Sequence, residues 1–247
     1  MKENFDSKVS ERSGIAGILE SMLRRFRIAT YLILLIPIYL IAVLVMSISA
    51  APSVFFFKFM LEQANNMSEV FYYLFIGFGL VGGYFIYGIT LIFVAPLFNL
   101  LILFHIKPFR CIFYSLPVIP WYLHNALTYI VRYTFLEFVT PTPINLLFYK
   151  MMGMKIGKGS HINTTNISDP CMIQIGNNVT IGGSAHLFAH YNSHGYLIVA
   201  PVKIGNRVTI GLKATIMGDV EIGDGVIIPA NEVVFPKSRI ASVKKPE

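Results

Sequence analysis

The chain has 247 residues, of which 55% are hydrophobic, 14% aromatic and 13% charged; its net charge is +7 and its mean hydropathy +0.62. A typical soluble domain carries about 25% charged residues, so this composition excludes intrinsic disorder and is too apolar for an ordinary cytosolic globule. Two cysteines in distant positions, Cys111 and Cys171, exclude a disulfide framework, and nothing interleaves basic and aromatic residues as a nucleic-acid site would.

Residues 1–27 carry apolar side chains at helical spacing: Ile15, Ile18, Leu19, Met22, Leu23 and Phe26. Glu20, Arg24, Arg25 and Arg27 lie opposite or beside them. The pattern predicts an amphipathic helix, either lying on an anionic leaflet or packed on the protein's own soluble domain.

Residues 28–106 hold two uncharged stretches, Ile28 to Phe57 and Val70 to Ile106, the second interrupted only by His105. About 20 apolar residues cross a hydrocarbon core. The first stretch predicts one crossing near Ala29 to Met46, kinked at Pro37. The second predicts a span from Val70 to Val94, with Pro96 dividing it from a shorter interfacial segment. Gly79 and Gly83 form a small-xxx-small pair able to seat another helix. Lys2, Lys8, Arg12, Arg24, Arg25 and Arg27 precede the first span, only Lys58 lies between the spans, and Lys107 and Arg110 follow them. The positive-inside rule then predicts a cytoplasmic (inner) membrane protein with both ends in the cytoplasm. Residues 107–150 read as interfacial helices and connector, with Trp121 and Tyr122 at headgroup level.

From 151 to 247 charges return and a six-residue period appears. Ile198, Ile204, Ile210, Ile216, Ile222, Ile228 and Val234 stand in register, followed four residues later by Val202, Val208, Ala214, Val220 and Val226. Upstream the unit recurs as IGKGSH (Ile156–His161), IGNNVT (Ile175–Thr180) and IGGSAH (Ile181–His186), with an extra residue near Pro170 and a break from Phe188 to Leu197. Neither a helix nor a sheet has period six. A coil of three short strands does, and stacked coils bury an aliphatic column. Residues 156–239 supply four to five such coils of about 18 residues each. The predicted fold class is thus a helical transmembrane N-terminal region followed by a parallel β-helix.

The run VKIGNRVTIGLKATIMGDVEIGDGVIIPANEVV resembles the hexapeptide-repeat acyltransferases, which implies a left-handed β-helix, a homotrimer and an acyl-CoA or acyl-carrier-protein pantetheine co-substrate. A wider resemblance, from the membrane segments through TPINLLFYKMMGMKIGKGS to DPCMIQIGNNVTIGGSAHLFAH, is to the membrane-embedded terminal region of ε-poly-lysine-type synthetases. Here that region stands without adenylation or carrier domains.

Three histidines, His186, His190 and His194, sit where the repeat breaks, and loops of this kind commonly carry function. Acyl transfer requires a base for the acceptor proton and a donor for the oxyanion, and histidine suits the first role at neutral pH. The synthetase-type register implies His190 as the base. The sugar and maltose acetyltransferase pattern falls on Asn192, which leaves His194 and His186 open. The resemblance further implies Asp169 meeting the acceptor, Leu212 N–H as oxyanion donor, Ala230 against the pantetheine arm, and Lys237 at donor phosphates. Asn231 and Glu232 replace the usual glycine–serine after Ala230. Histidines four apart in a β-helix loop do not converge on a metal, so no metal is expected. The reading is a membrane-anchored acyltransferase acting on a hydroxyl or amine acceptor, possible partners being membrane lipids, a carrier protein and further copies of the chain. The alternatives are a non-catalytic trimeric scaffold and an amide-bond-forming enzyme using carrier-bound amino acids.

Overall fold

The computed structural model describes residues 7–101 and 106–243. Lys2 and His105, used above, lie outside the described residues.

Helix α1 (Gly14–Arg25) is amphipathic, but its polar stripe faces inward. Glu20 and Arg24 are buried and paired at 2.5 Å, Arg12 meets the same carboxylate at 3.0 Å, and Glu20 accepts the Leu116 N–H at 3.4 Å. Ile15, Ile18, Leu19, Met22 and Phe26 point outward, Ile15 with 78% of its surface exposed. The helix therefore satisfies its charges against the protein and leaves its apolar stripe uncovered.

Helices α2 (Arg27–Ala64) and α3 (Glu69–Leu101) form an antiparallel hairpin. Both are long and apolar enough to cross a membrane. They differ from the sequence expectation in length. Neither Pro37 nor Pro52 ends α2, and α3 runs unbroken through Pro96. A proline costs one backbone hydrogen bond, which a neighbouring packed helix can compensate. Gly79 and Gly83 do seat α2: a Cβ on Gly79 would lie 3.1 Å from Met60, and one on Gly83 2.9 Å from the Ser53 hydroxyl.

Residues 107–150, expected as interfacial helices and connector, hold one strand and two α-helices. They begin with strand β1 (Phe109–Ile112), continue as α4 (Val118–Thr134) and end in α5 (Pro143–Met151). Thr142 caps α5, accepting the Ile144 N–H at 3.2 Å. Trp121 is buried rather than placed at a surface.

The remainder is the β-helix. Its first face stacks β2 (Lys155–Ile156), β5 (Ile173–Ile175), β10 (Val202–Ile204), β13 (Val220–Ile222) and β16 (Arg239–Ile240). The second stacks β3 (His161–Ile162), β6 (Thr180–Ile181), β11 (Thr209–Ile210) and β14 (Ile227–Ile228). The third stacks β4 (Ile167–Ser168), β7 (His186–Phe188), β12 (Thr215–Ile216) and β15 (Val233–Val234), and all these pairings are parallel. These are the stacked coils the period demands, in the left-handed β-helix the resemblance implies. The inward column of Val202 to Val234 is buried throughout, and it continues without interruption into Phe148, Tyr149 and Met152 of the α5 region, Leu127 and Val131 of α4, Leu91 of α3 and Val45 of α2. Ile198 leaves the predicted column. It belongs to an antiparallel hairpin, β8 (His190–Ser193) and β9 (Tyr196–Val199), to whose outer edge β1 adds a third strand.

Candidate active site

The hairpin leaves the β-helix at the corner joining the third face to the first. The same corner carries Asp169 one coil earlier and Gly218–Asp219 one coil later, with Lys237 beyond them. Asp169 has a left-handed backbone (φ 56°, ψ 47°), a conformation a short polar side chain tolerates. That turn directs its carboxylate toward both the hairpin and α4.

His190 Nδ1 lies 2.6 Å from Asp169 Oδ2. The other oxygen, Oδ1, accepts from Trp121 Nε1 at 2.6 Å and from Asn125 Nδ2 at 2.7 Å, while Asn125 Oδ1 accepts the Asp169 N–H at 3.2 Å. Asp169 is fully buried, and the His190 side chain retains 22% of its exposure. A carboxylate can only accept, so Nδ1 carries the proton and Nε2 presents a lone pair outward. The Trp121 ring stands edge-on to the imidazole at 5.2 Å, and the Phe188 ring lies tilted to it at 5.8 Å. The ring is thereby fixed by one strong hydrogen bond and two aromatic walls.

Helix α4 reads the strand that ends in Asp169 along its length. Trp121 and Asn125 hold Asp169, the Tyr129 hydroxyl meets the Ser168 hydroxyl at 2.8 Å, and Arg132 Nη2 donates to Asn166 Oδ1. These residues recur at three and four, so one helical face supplies them all. Sequence reasoning missed Trp121 and Asn125 as site residues. The available signal was their i, i+4 spacing as hydrogen-bonding side chains within an uncharged helix.

The three loop histidines occupy different places. His186 is in β7, in line with Phe188 (5.5 Å) and His190 on one face. His194 is in the two-residue hairpin turn with φ 50°, touching Ser193 Oγ at 2.9 Å. That turn is the far end of the hairpin from Asp169. Asn192 is exposed on β8. Asp169 does not present a free oxygen to an acceptor, because both are engaged behind His190. Leu212 and Ala230 stack on the opposite corner of the third face, where Asn231 N–H donates to Leu212 O at 2.8 Å. The Leu212 N–H has no partner among the described residues. Within one chain the width of the third face separates that N–H from His190. Lys237 shares the His190 corner, two coils away, and its N–H bonds Asp219 O at 2.8 Å.

Gly218 was also not anticipated. A Cβ there would stand 2.9 Å from both Ala189 C and His190 N, so the residue must be small for the hairpin to leave the coil as it does. Burial pushes the Cys171 thiol up to about 12, so it is no thiolate nucleophile.

Comparison with known proteins finds a short hexapeptide-repeat match. The family model "Hexapeptide repeat of succinyl-transferase" matches residues 201–236. Among solved structures, a maltose O-acetyltransferase from Clostridium difficile 630 superimposes with a TM-score of 0.38 and 20% identity, covering 57% of this chain and 95% of that one. A serine acetyltransferase from Neisseria gonorrhoeae gives 0.31 and 18%, covering 77% and 75%. An N-acyltransferase from Bacillus cereus in complex with dTDP and coenzyme A gives 0.24 and 18%, covering 38% and 78%. No curated protein matches the sequence.

Proposed function

We propose, from the premise that residues 155–240 form a hexapeptide-repeat left-handed β-helix, that this protein is a membrane-anchored acyltransferase moving an acyl group from a pantetheine thioester to a hydroxyl or amine. The observation that carries the reading is the 2.6 Å contact between His190 Nδ1 and a buried Asp169 carboxylate whose second oxygen is already taken. A turn aspartate with no chemical role would face water. This one is enclosed and aims an imidazole outward.

In the reaction, Nε2 of His190 removes the proton as the acceptor oxygen or nitrogen attacks the thioester carbonyl. The new C–O or C–N bond forms, the C–S bond breaks, and the departing thiolate takes the proton back from the imidazolium. Asp169 stabilises that imidazolium and fixes the tautomer, so it is a positioning residue rather than an acceptor contact. The Leu212 N–H is the oxyanion donor, and because it lies on another corner it would come from a neighbouring copy in a homotrimer. Ala230 and Lys237 serve the donor's pantetheine and phosphates. Helices α2 and α3 insert in the membrane, and the outward apolar stripe of α1 lies on its surface with Lys8 and Arg25 toward anionic headgroups.

The test is release of free thiol from acetyl-CoA and longer acyl-CoA by the purified full chain in detergent, with hydroxyl and amine acceptors. Acceptor-dependent thiol release supports the reading. A chain that assembles but never consumes a thioester, from coenzyme A or a carrier protein, is a scaffold instead.

A further inference from the structure

Two turns along α4 from Asn125, on the face that reads the Asp169 strand, stands Arg132. Its guanidinium lies 4.9 Å from the Tyr133 ring centroid and 5.9 Å from that of Tyr129, and Nη2 donates to Asn166. It is half-buried. No carboxylate lies within ion-pair distance of it among the described residues. The acid closest in sequence, Glu137, is held by the Thr165 hydroxyl instead. A planar cation oriented by two rings and one amide, with its remaining N–H groups uncommitted to a carboxylate, is arranged to receive an anion.

Its position gives the anion a distance and a direction. Seven residues of helix are about 10 Å, and between Arg132 and the dyad runs the outer side of the third face with His186 and Phe188. Beyond Arg132, α4 meets the helical hairpin. There Tyr84 donates to Thr134 O and packs on Phe135 and Phe138 at 5.7 and 5.6 Å, while Tyr133 and Phe138 remain exposed. An aromatic collar of this kind suits the headgroup level of a bilayer.

Resting on the acyltransferase reading, we infer that Arg132, with Tyr129 and Tyr133, forms a binding site for a phosphate group of the acyl acceptor, two helical turns along α4 from the Asn125 that holds the dyad. The class of acceptor is a phosphorylated alcohol or amine. The collar favours one borne on a lipid.

The test measures binding of dodecyl phosphate and of glucose 1-phosphate to the full chain in maltoside micelles, by calorimetry and ³¹P NMR. Saturable binding is expected, weakened at least tenfold in Arg132→Gln and less in Arg132→Lys. Melting and assembly are followed for each variant, and Asn166→Ala, which leaves the charge but frees the guanidinium, should weaken binding less than Arg132→Gln. Tighter binding of dodecyl phosphate marks a lipid source, and tighter binding of glucose 1-phosphate a soluble one; both support the site. Equal affinity in a folded Arg132→Gln, no saturable binding, or equal binding of dodecanoate would overturn it. Loss of the Arg132 effect with thioester turnover intact removes this site alone. Arg132-dependent phosphate binding without any thioester turnover keeps the site and removes the acyltransferase.

Discussion

Trp121 and His190 bind opposite oxygens of one carboxylate, that of Asp169: Nε1 of the indole reaches Oδ1 and Nδ1 of the imidazole reaches Oδ2, each at 2.6 Å. The indole belongs to the helical region that packs on the apolar hairpin, and the imidazole to the β-helix insertion. A buried charge is costly unless fully paired, so the two regions complete the site only together.

Asp169→Asn should lower turnover about 100-fold or more, since an asparagine can present its amide N–H to Nδ1 and favour the wrong tautomer. Trimer assembly and KM for the thioester should change little. A variant with wild-type kcat would show that the carboxylate only terminates a strand.

Trp121→Phe keeps the ring and deletes the N–H. The expected results are a fall in kcat together with a loss of about 1.5–3 kcal/mol of stability, the worth of one hydrogen bond to a charged group, Oδ1 keeping its bond from Asn125. Thermal unfolding and turnover measured on the same preparation check it, and an unchanged pair of values would contradict the linkage between α4 and the dyad.

Gly218→Ala forces a methyl against the Ala189–His190 backbone at 2.9 Å. A displacement of about 1 Å can cost about 100-fold in rate, so kcat should fall by an amount of that order while the β-helix persists by circular dichroism. Full activity would mean that the hairpin absorbs the methyl without moving the imidazole.

His124 supplies a pH test apart from the dyad. It is buried on α4, with Nδ1 2.8 Å from Asn99 Oδ1. Burial lowers its pKa to about 4 from 6.5, against a smaller opposing pull from the Asp169 carboxylate. Between those values the unfolded chain binds the proton and the folded chain does not. Stability is therefore full above pH 6.5 and declines toward pH 4, by about 3 kcal/mol in all. His124→Gln should flatten the dependence of the melting temperature on pH in this window. An identical slope in wild type and variant would contradict it.

The β-helix was legible because six-residue periodicity has few other physical solutions, and each coil repeats the signal. His190 was singled out among three histidines at a break by the resemblance, whereas the hairpin register, which puts His194 in the turn and His190 beside Asp169, had no local signal. Trp121 was misplaced because an aromatic residue in an uncharged segment looks the same whether it meets lipid headgroups or a buried carboxylate. Pro96 misled for a related reason: local propensity marks a break, whereas packing along the hairpin keeps α3 whole. Strand β1 has no signal of its own in four residues, since its partner β9 lies 84 or more positions later. The same continuity of core predicts that removal of residues 1–150 abolishes activity even on water-soluble acceptors, because Trp121 and Asn125 leave with the membrane helices.

The most direct measurement is the rate of thiol release from an acyl thioester by His190→Ala, compared with wild type in the same detergent and at the same oligomeric state. A loss of about 100-fold to 10,000-fold, the range general-base catalysis contributes, is the result the account predicts. Undiminished acceptor-dependent release from a properly assembled His190→Ala protein would contradict it.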